Sequence, residues 1–410
     1  MKTVATHTRR SAIGLIILIY VAFISLGLPD GLMGVAWPSI RATFSQPLDA
    51  LGVLLLFSTS GYLASSSISG RIISRWGVGK LLAASCVLTG LGLIGYTLVP
   101  NWWMMIALGL VAGLGAGAID AGINTYVAAN FGEKLMQWLH ASYGIGVTLG
   151  PLIMTAGLNL FEDWHWGYQV VGLAQLALAA SFMVTLPLWQ RKPDRGEAKS
   201  QPERRLTDYK TSYRETLRQP MVWLSFLIFY LYTGAEATLG SWAYTLLTES
   251  RGISIEIAGL WAGSYWATFT LGRFLAGLYN QRIGLNTLIS GSLLGALAGS
   301  LLLWWNPVGI ASLVGVGLIG FAIAPIFPGL VSGTRERVGV HYAANTIGMQ
   351  VSAAALGAAT LPGLAGILAQ RIFSLEIIPV YLAILFAAQL GLYALATSLA
   401  GARKLNTALS

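Results

Sequence analysis

The sequence predicts an all-α membrane protein, with twelve transmembrane helices in two pseudo-symmetric halves of six. Three observations carry that expectation. Hydrophobic residues make up 55% of the 410-residue chain and charged residues only 10%, whereas a soluble domain carries about 25% charge. Apolar runs near the roughly 20 residues of a helical span occur at 11–35, 50–73, 80–99, 103–129, 135–160, 167–189, 220–247, 256–280, 285–305, 308–332, 343–370 and 377–400. Finally, with both termini cytoplasmic, 22 of the 25 lysines and arginines fall on the inner side, as the positive-inside rule requires. One missed helix would scramble that asymmetry, so the charges also support the count of spans. Only Arg41, Arg251 and Arg371 fall outside it. The net charge of +9 is therefore topological and gives no reason to invoke a nucleic-acid partner.

Taken in order, the basic N-terminus with its apolar run superficially resembles a signal peptide. The run is longer than a signal core and lacks a small-residue cleavage site, so it reads as the first span. That span ends in GLPDGLMGVAWPSI, where Gly27, Gly31 and Gly34 permit close helix approach. Pro29 loosens one turn, and Asp30 lies inside the apolar stretch. The second span closes on the tight, positively charged turn Gly70 to Gly77, which includes Arg75. The third holds the single cysteine, Cys86, which has no partner for an internal disulfide. The fourth and fifth run from Gly113 to Pro151 around a polar turn, Gly132-Glu133-Lys134. Asp120 and Asn124 are four apart and share a helical face. Asn124 lies eight residues before Gly132 and His140 eight after it, so an antiparallel pair would set them at similar depth. Residues 1–190 then form an N-terminal six-helix half.

Residues 191–219 are a polar cytoplasmic linker, with a short surface helix expected around 207–218, and 220–410 form the C-terminal half. The pattern of the first half returns there. Gly277 to Gly284 ends the eighth span as Gly70 to Gly77 ended the second, and Gly146 and Pro151 recur as Gly357 and Pro362. The tenth span, with Ala324-Pro325-Ile326-Phe327-Pro328-Gly329, occupies the place of the fourth.

Of sixteen acidic residues, thirteen fall in loops or at span ends, and Asp30, Asp120 and Glu236 do not. A carboxylate near the bilayer centre costs about 2.5–3.5 kcal/mol on insertion scales. No mid-span basic residue stands out to neutralise these three, so a proton or a bound cation is the natural partner. The plainer alternative is an acid that merely locks helices together. Tyr232 shares a face with Glu236, and Trp242, Trp261, Tyr265 and Trp266 follow. Aromatic planes beside a carboxylate suit a polyhydroxylated ligand, although an interfacial aromatic belt gives the same composition. Asn345 and Gln350 could contact a ligand or bond helix to helix. His140 could relay protons, bind substrate or pack against Asn124. Four histidines without ligand spacing give no metal site. The glycine clusters lack the strand and the Gly-Lys-Ser/Thr of a phosphate loop. No nucleophile–base pair is visible, so neither an enzyme nor a cofactor is expected.

Gly70-x4-Arg75-x-Gly77, repeated from Gly277 through Arg282 to Gly284, resembles the loop signature of the major facilitator superfamily, and the resemblance covers essentially the whole chain. Gly117-Ala118-Ile119-Asp120-Ala121-Gly122-Ile123-Asn124 is similar to the helix-4 motif of its fucose–galactose–glucose:proton symporter branch. Tyr232-x-Gly-x-Glu236 and Ile326-Phe327-Pro328 resemble helices 7 and 10 of bacterial glucose/mannose:proton symporters. Three departures stand out. Ser74 and Gln281 replace the usual Asp before the signature Arg, Asp120 replaces a longer Glu, and Asp30 differs in register to the following proline.

The resemblance implies a monomeric inner-membrane transporter that rocks its halves about a central site. It would import a neutral monosaccharide, expected to be a hexose, with protons, and Na⁺ is the alternative coupling ion. Asp120, Glu236 and Asp30 would then serve coupling, and Asp120 and Glu236 would also help hold sugar hydroxyls. Asn124, His140, Tyr232, Trp242, Trp261, Asn345 and Gln350 would serve binding. A drug:proton antiporter of the same fold is the nearest rival. A non-transporting sensor would be expected to add a long cytoplasmic output domain.

Overall fold

The computed structural model describes residues 2–131, 133–189, 211–279, 283–372 and 374–409, and every element among them is a helix. The long ones are α1 (Lys2–Thr43), α2 (Leu51–Trp76), α3 (Val78–Tyr96), α4 (Trp102–Asn130), α5 (Glu133–Phe161) and α6 (His165–Val184), then α7 (Pro220–Thr245), α8 (Ile255–Tyr279), α9 (Leu285–Trp305), α10 (Ile310–Ile323), α11 (Val340–Ile372) and α12 (Ile377–Leu409). The expected turn residue Gly132, residue 190, most of the linker (191–210) and Asn280, Gln281 and Arg282 of the second glycine motif lie outside the described residues.

Among the described residues, eleven helices are long and apolar enough to cross a membrane. The twelfth expected span is α8, which has the length but is not one of the eleven. Its serine, threonines, glycines and aromatic rings, with Glu256 and Arg273, dilute the aliphatic content that hydropathy measures. The first span also runs further than expected, through Pro29 and Pro38 to Thr43. Helix α10 stops at Ile323, and a separate helix, Ile326–Ser332, follows Pro325. Proline lacks the N–H that would continue the ladder.

The chain divides into two compact units, Met1–Arg195 with Ile253–Gly263, and Gly196–Gly252 with Ser264–Ser410. In the first, α2 packs on α4, α1 on α5, and α3 on both α4 and α6. The expected pairing of α4 with α5 is therefore not the main one, because each helix finds a glycine-faced neighbour elsewhere. A Cβ on Gly113 would lie 2.0 Å from the Ser58 carbonyl oxygen, and one on Gly146 2.0 Å from that of Ile24. In the second unit α7 packs on α11, and a Cβ on Gly357 would lie 2.0 Å from the Tyr230 carbonyl. Gly146 and Gly357 are repeat-related, so the internal duplication extends to backbone contact. Lipid tails are as apolar as leucine, so close packing rather than hydrophobic transfer holds such helices together.

Arg251, one of the three cations outside the charge asymmetry, has a structural task in the second unit. It donates to both Glu376 oxygens (Nε 3.0 Å, Nη2 2.6 Å), to Ser312 Oγ (2.7 Å) and to the Leu303 carbonyl (2.7 Å). This ties the π-helical extension of α7 to α9, α10 and the start of α12. Burial alone would raise the Glu376 carboxyl. Hydrogen bonds from Arg251 and Ser250, together with the Arg251 charge, outweigh that and hold it below the usual glutamate range. A depressed acid contributes stability above its unfolded pKa and loses it as pH falls through the folded value. Purified protein should therefore lose melting temperature at acid pH, below the normal carboxylate range. Glu376→Gln should flatten that part of the profile and cost about 1–3 kcal/mol at neutral pH, with the half-exposed carboxylate placing it at the lower end.

Candidate functional site

Two of the three intramembrane acids lie in the first unit, each held against a tyrosine of a facing helix, and glycines are the reason. On α4, a Cβ on Gly117 would lie 2.2 Å from the Tyr62 carbonyl, and on α2 one on Gly61 would lie 2.3 Å from that of Leu110. Only bare backbones permit that approach, and it sets Tyr62 beside Asp120. The Tyr62 hydroxyl donates to Asp120 Oδ2. Asn124 Nδ2 donates to Oδ1 at 2.8 Å and to the Asp120 main-chain carbonyl at 3.0 Å, as the four-residue spacing predicts.

The α1–α5 contact repeats the device. A Cβ on Gly27 would lie 2.5 Å from the Tyr143 carbonyl, and one on Gly31 2.5 Å from that of Val147. Here the Tyr143 hydroxyl donates to Asp30 Oδ2 at 2.6 Å. Tyr62 feels the charge of Asp30 as well as that of Asp120, so the two acid–phenol pairs, drawn from α1, α2, α4 and α5, lie within electrostatic reach of each other. Asp30 is exposed and Asp120 half-buried. Two phenols and an amide, all neutral, hydrogen-bond these two carboxylates. His140, one turn before Tyr143, is exposed and sets its ring edge-on to Phe23 at 5.6 Å.

The sequence alone does not single out Tyr62 or Tyr143. For Tyr62 a signal existed. It sits in a hydroxyl-rich run that includes Ser58, Ser65, Ser66 and Ser69, and this span is the least buried of the eleven, at 28%. For Tyr143 the signal was the three-residue spacing from His140.

In the second unit Glu236 is half-buried, and its main-chain carbonyl accepts the Tyr265 hydroxyl at 2.9 Å. Several expected ligand contacts instead spend their polar groups on neighbouring helices. Tyr232 is wholly buried and donates to the Ile323 carbonyl at 3.1 Å, an acceptor at the end of α10. Trp242, also wholly buried, donates from Nε1 to the Pro362 carbonyl at 2.9 Å. Gln350 is buried and donates to Ser225 Oγ (2.6 Å) and Thr334 Oγ1 (2.9 Å). Asn345 holds the chain entering α7, through the Thr211 carbonyl and Thr216 Oγ1, both at 3.0 Å. These four are thus helix ties in this structure, because an unpaired polar group in an apolar interior costs more than the tie. Trp261, on the part of α8 that belongs to the first unit, is half-buried.

The two copies of the glycine motif differ locally. Gly70 and Arg75 are exposed on the last turns of α2. Gly77 caps that helix at φ +81°, where only glycine is unstrained, and its N–H donates to the Ile73 carbonyl at 2.9 Å. Gly277 lies in the last turn of α8, whereas Gly284 precedes α9 at φ −58°, open to any residue.

Residues 19–362 match the sequence profile of the Major Facilitator Superfamily. The chain belongs to that superfamily. It is accordingly a multi-spanning membrane transporter and not an enzyme. Human sodium-dependent glucose transporter 1 is 25% identical over 384 residues, covering 85% of this chain and 72% of the relative. The glucose/mannose transporter GlcP of Bacillus subtilis is 23% identical over 318 residues, covering 75% of this chain and 77% of the relative. A solved bacterial homolog of the human lysosomal transporter Spinster, inward-facing and occupied, aligns with a TM-score of 0.73 at 14% identity, over 94% of this chain and 97% of the other. The superfamily transporter FucP, in its outward conformation, aligns at 0.60 with 13% identity, over 94% and 99%. Similarity at these identities establishes the shared major facilitator fold.

Proposed function

We propose that this major facilitator protein is a proton-coupled symporter that imports a neutral monosaccharide, a hexose, across the inner membrane by alternating access. One observation carries the coupling half of the reading: Asp120 and Asp30 are hydrogen-bonded by neutral groups, Tyr62 and Asn124 for the first and Tyr143 for the second. An ionised carboxylate in low-dielectric surroundings is costly without a counter-charge. Gaining a proton removes that cost, so such an acid can load and release one as the cycle turns. The sugar half is supported by relatives named for glucose, and by an exposed carboxylate, an amide and an imidazole on α1, α4 and α5 that can serve hydroxyls. Both termini would be cytoplasmic, as the basic residues require.

The human relative is named as sodium-dependent, which favours Na⁺ as the second reading for the coupling ion. Uptake into proteoliposomes across a panel of monosaccharides, with the pH and sodium gradients imposed separately, decides between them. Accumulation driven by the pH gradient alone is expected. Accumulation that follows sodium alone would reassign the ion. Transport of lipophilic cations with no sugar uptake would replace the symporter by an antiporter.

A further inference from the structure

The second unit holds a cation whose place in the chain groups it with the inner-side charges of the helix ends. Arg273 lies within α8, six residues before its end at Tyr279. Side chains on a helix lean toward its N-terminus, and the Arg273 guanidinium follows that lean, 4.2 Å from the centre of the Phe269 ring one turn back. An arginine near the end of a span ordinarily extends its head group outward to water. This one turns inward along the helix. Its Nε is buried and has no hydrogen-bond partner among the described residues.

One more turn back is Tyr265, fully buried, whose hydroxyl reaches the Glu236 main chain. Tyr265, Phe269 and Arg273 thus form one face of α8 at four-residue spacing, which leads from the cation to the acid. Glu236 and Arg273 both interact electrostatically with the hydroxyls of Tyr232 and Tyr265. Acid and base therefore address the same pair of buried phenols.

We propose that Arg273 is the charge partner of Glu236 across the Tyr232–Tyr265 pair, and that its guanidinium donates to hydroxyl oxygens of the transported solute. A guanidinium offers five donors in a planar fork and no acceptor, which matches two adjacent oxygens of a polyol. Glu236 supplies the complementary acceptor. Together they bind a neutral polyol without net charge, and they leave the coupling proton to Asp120 and Asp30. Glu236 is then a solute ligand paired with Arg273, not the proton carrier that its place in the span suggests. The inference rests on the proposed sugar transport for its solute, but not for the pairing itself.

The test uses the full chain with Arg273→Gln, Arg273→Lys, Glu236→Gln and the Glu236→Gln/Arg273→Gln double variant. In detergent without substrate, each neutralised single should melt lower than wild type, and the double should lose less than the sum of the two. Additive losses would overturn the pairing. In proteoliposomes, Arg273→Gln should raise the half-saturating sugar concentration for counterflow roughly tenfold or more, while saturating sugar still accumulates with protons. Arg273→Lys keeps the charge but not the fork, so it should melt like wild type and still bind weakly. Glu236→Gln should weaken binding and retain accumulation. A Glu236→Gln variant that exchanges normally and accumulates nothing would make Glu236 the proton carrier and sink the proposal. If wild type transports no sugar in the panel, the proposed function is what fails, and the melting cycle alone decides the pairing.

Discussion

Asp120→Asn is expected to abolish uphill accumulation while leaving sugar counterflow in place. The substitution keeps the shape of the side chain and an oxygen that can accept the Tyr62 hydroxyl. Asn124 can rotate its amide to meet the new NH₂ group. Only the ability to gain and lose a proton is removed. One pH unit corresponds to about 1.4 kcal/mol, or about tenfold in concentration, for a transporter moving one proton per sugar. Under such an imposed gradient wild type should approach tenfold accumulation, and the variant should settle where inside and outside are equal. Wild-type accumulation by Asp120→Asn would remove the residue from coupling altogether. Tyr62→Phe deletes the donor and leaves the acid, so its accumulation should fall between the two.

The second large effect concerns Gly146. Alanine is ordinarily worth up to about 1 kcal/mol over glycine inside a helix, so propensity alone predicts that Gly146→Ala stabilises. Packing predicts the reverse. The added Cβ would stand 2.0 Å from the Ile24 carbonyl oxygen and 3.1 Å from the Gly27 Cα. Both are backbone atoms that no rotamer change can move aside, so α1 and α5 must separate by about 1 Å or more. Overpacking of this kind costs about 1–3 kcal/mol, sometimes more, and exceeds the propensity gain. The melting temperature should fall, and sugar counterflow should fall with it, because the same contact brings the Tyr143 hydroxyl to Asp30. Gly291→Ala is the control. Nothing lies within 4 Å of a Cβ there, so that variant should match or exceed wild type. Equal behaviour of the two variants in a thermal melt would show that close contact does not hold α1 to α5.

Much of this protein is legible in the chain alone, and the legible parts share a physical origin. Membrane solvation acts residue by residue along a segment, so spans, their repeat and the charge asymmetry are visible in one dimension. Interactions within one helix are equally visible, and Asn124 does hold Asp120 one turn away. The glycines point to close approach, and Gly146 and Gly357 do meet carbonyls of facing helices.

What only the tertiary structure decided is which helix each one meets and at what height. Asp120 owes Tyr62, and Asp30 owes Tyr143, to the crossing of α2 on α4 and α1 on α5, and no spacing within a segment encodes a crossing. Tyr232, Trp242, Asn345 and Gln350 draw attention as polar or aromatic groups in apolar runs. That trait is shared by ligand contacts and helix ties alike, and only the position of the facing carbonyl or hydroxyl separates them. Arg273 carries the same lesson. Its place in the chain matches the end of a span, and the direction of its side chain turns the charge inward.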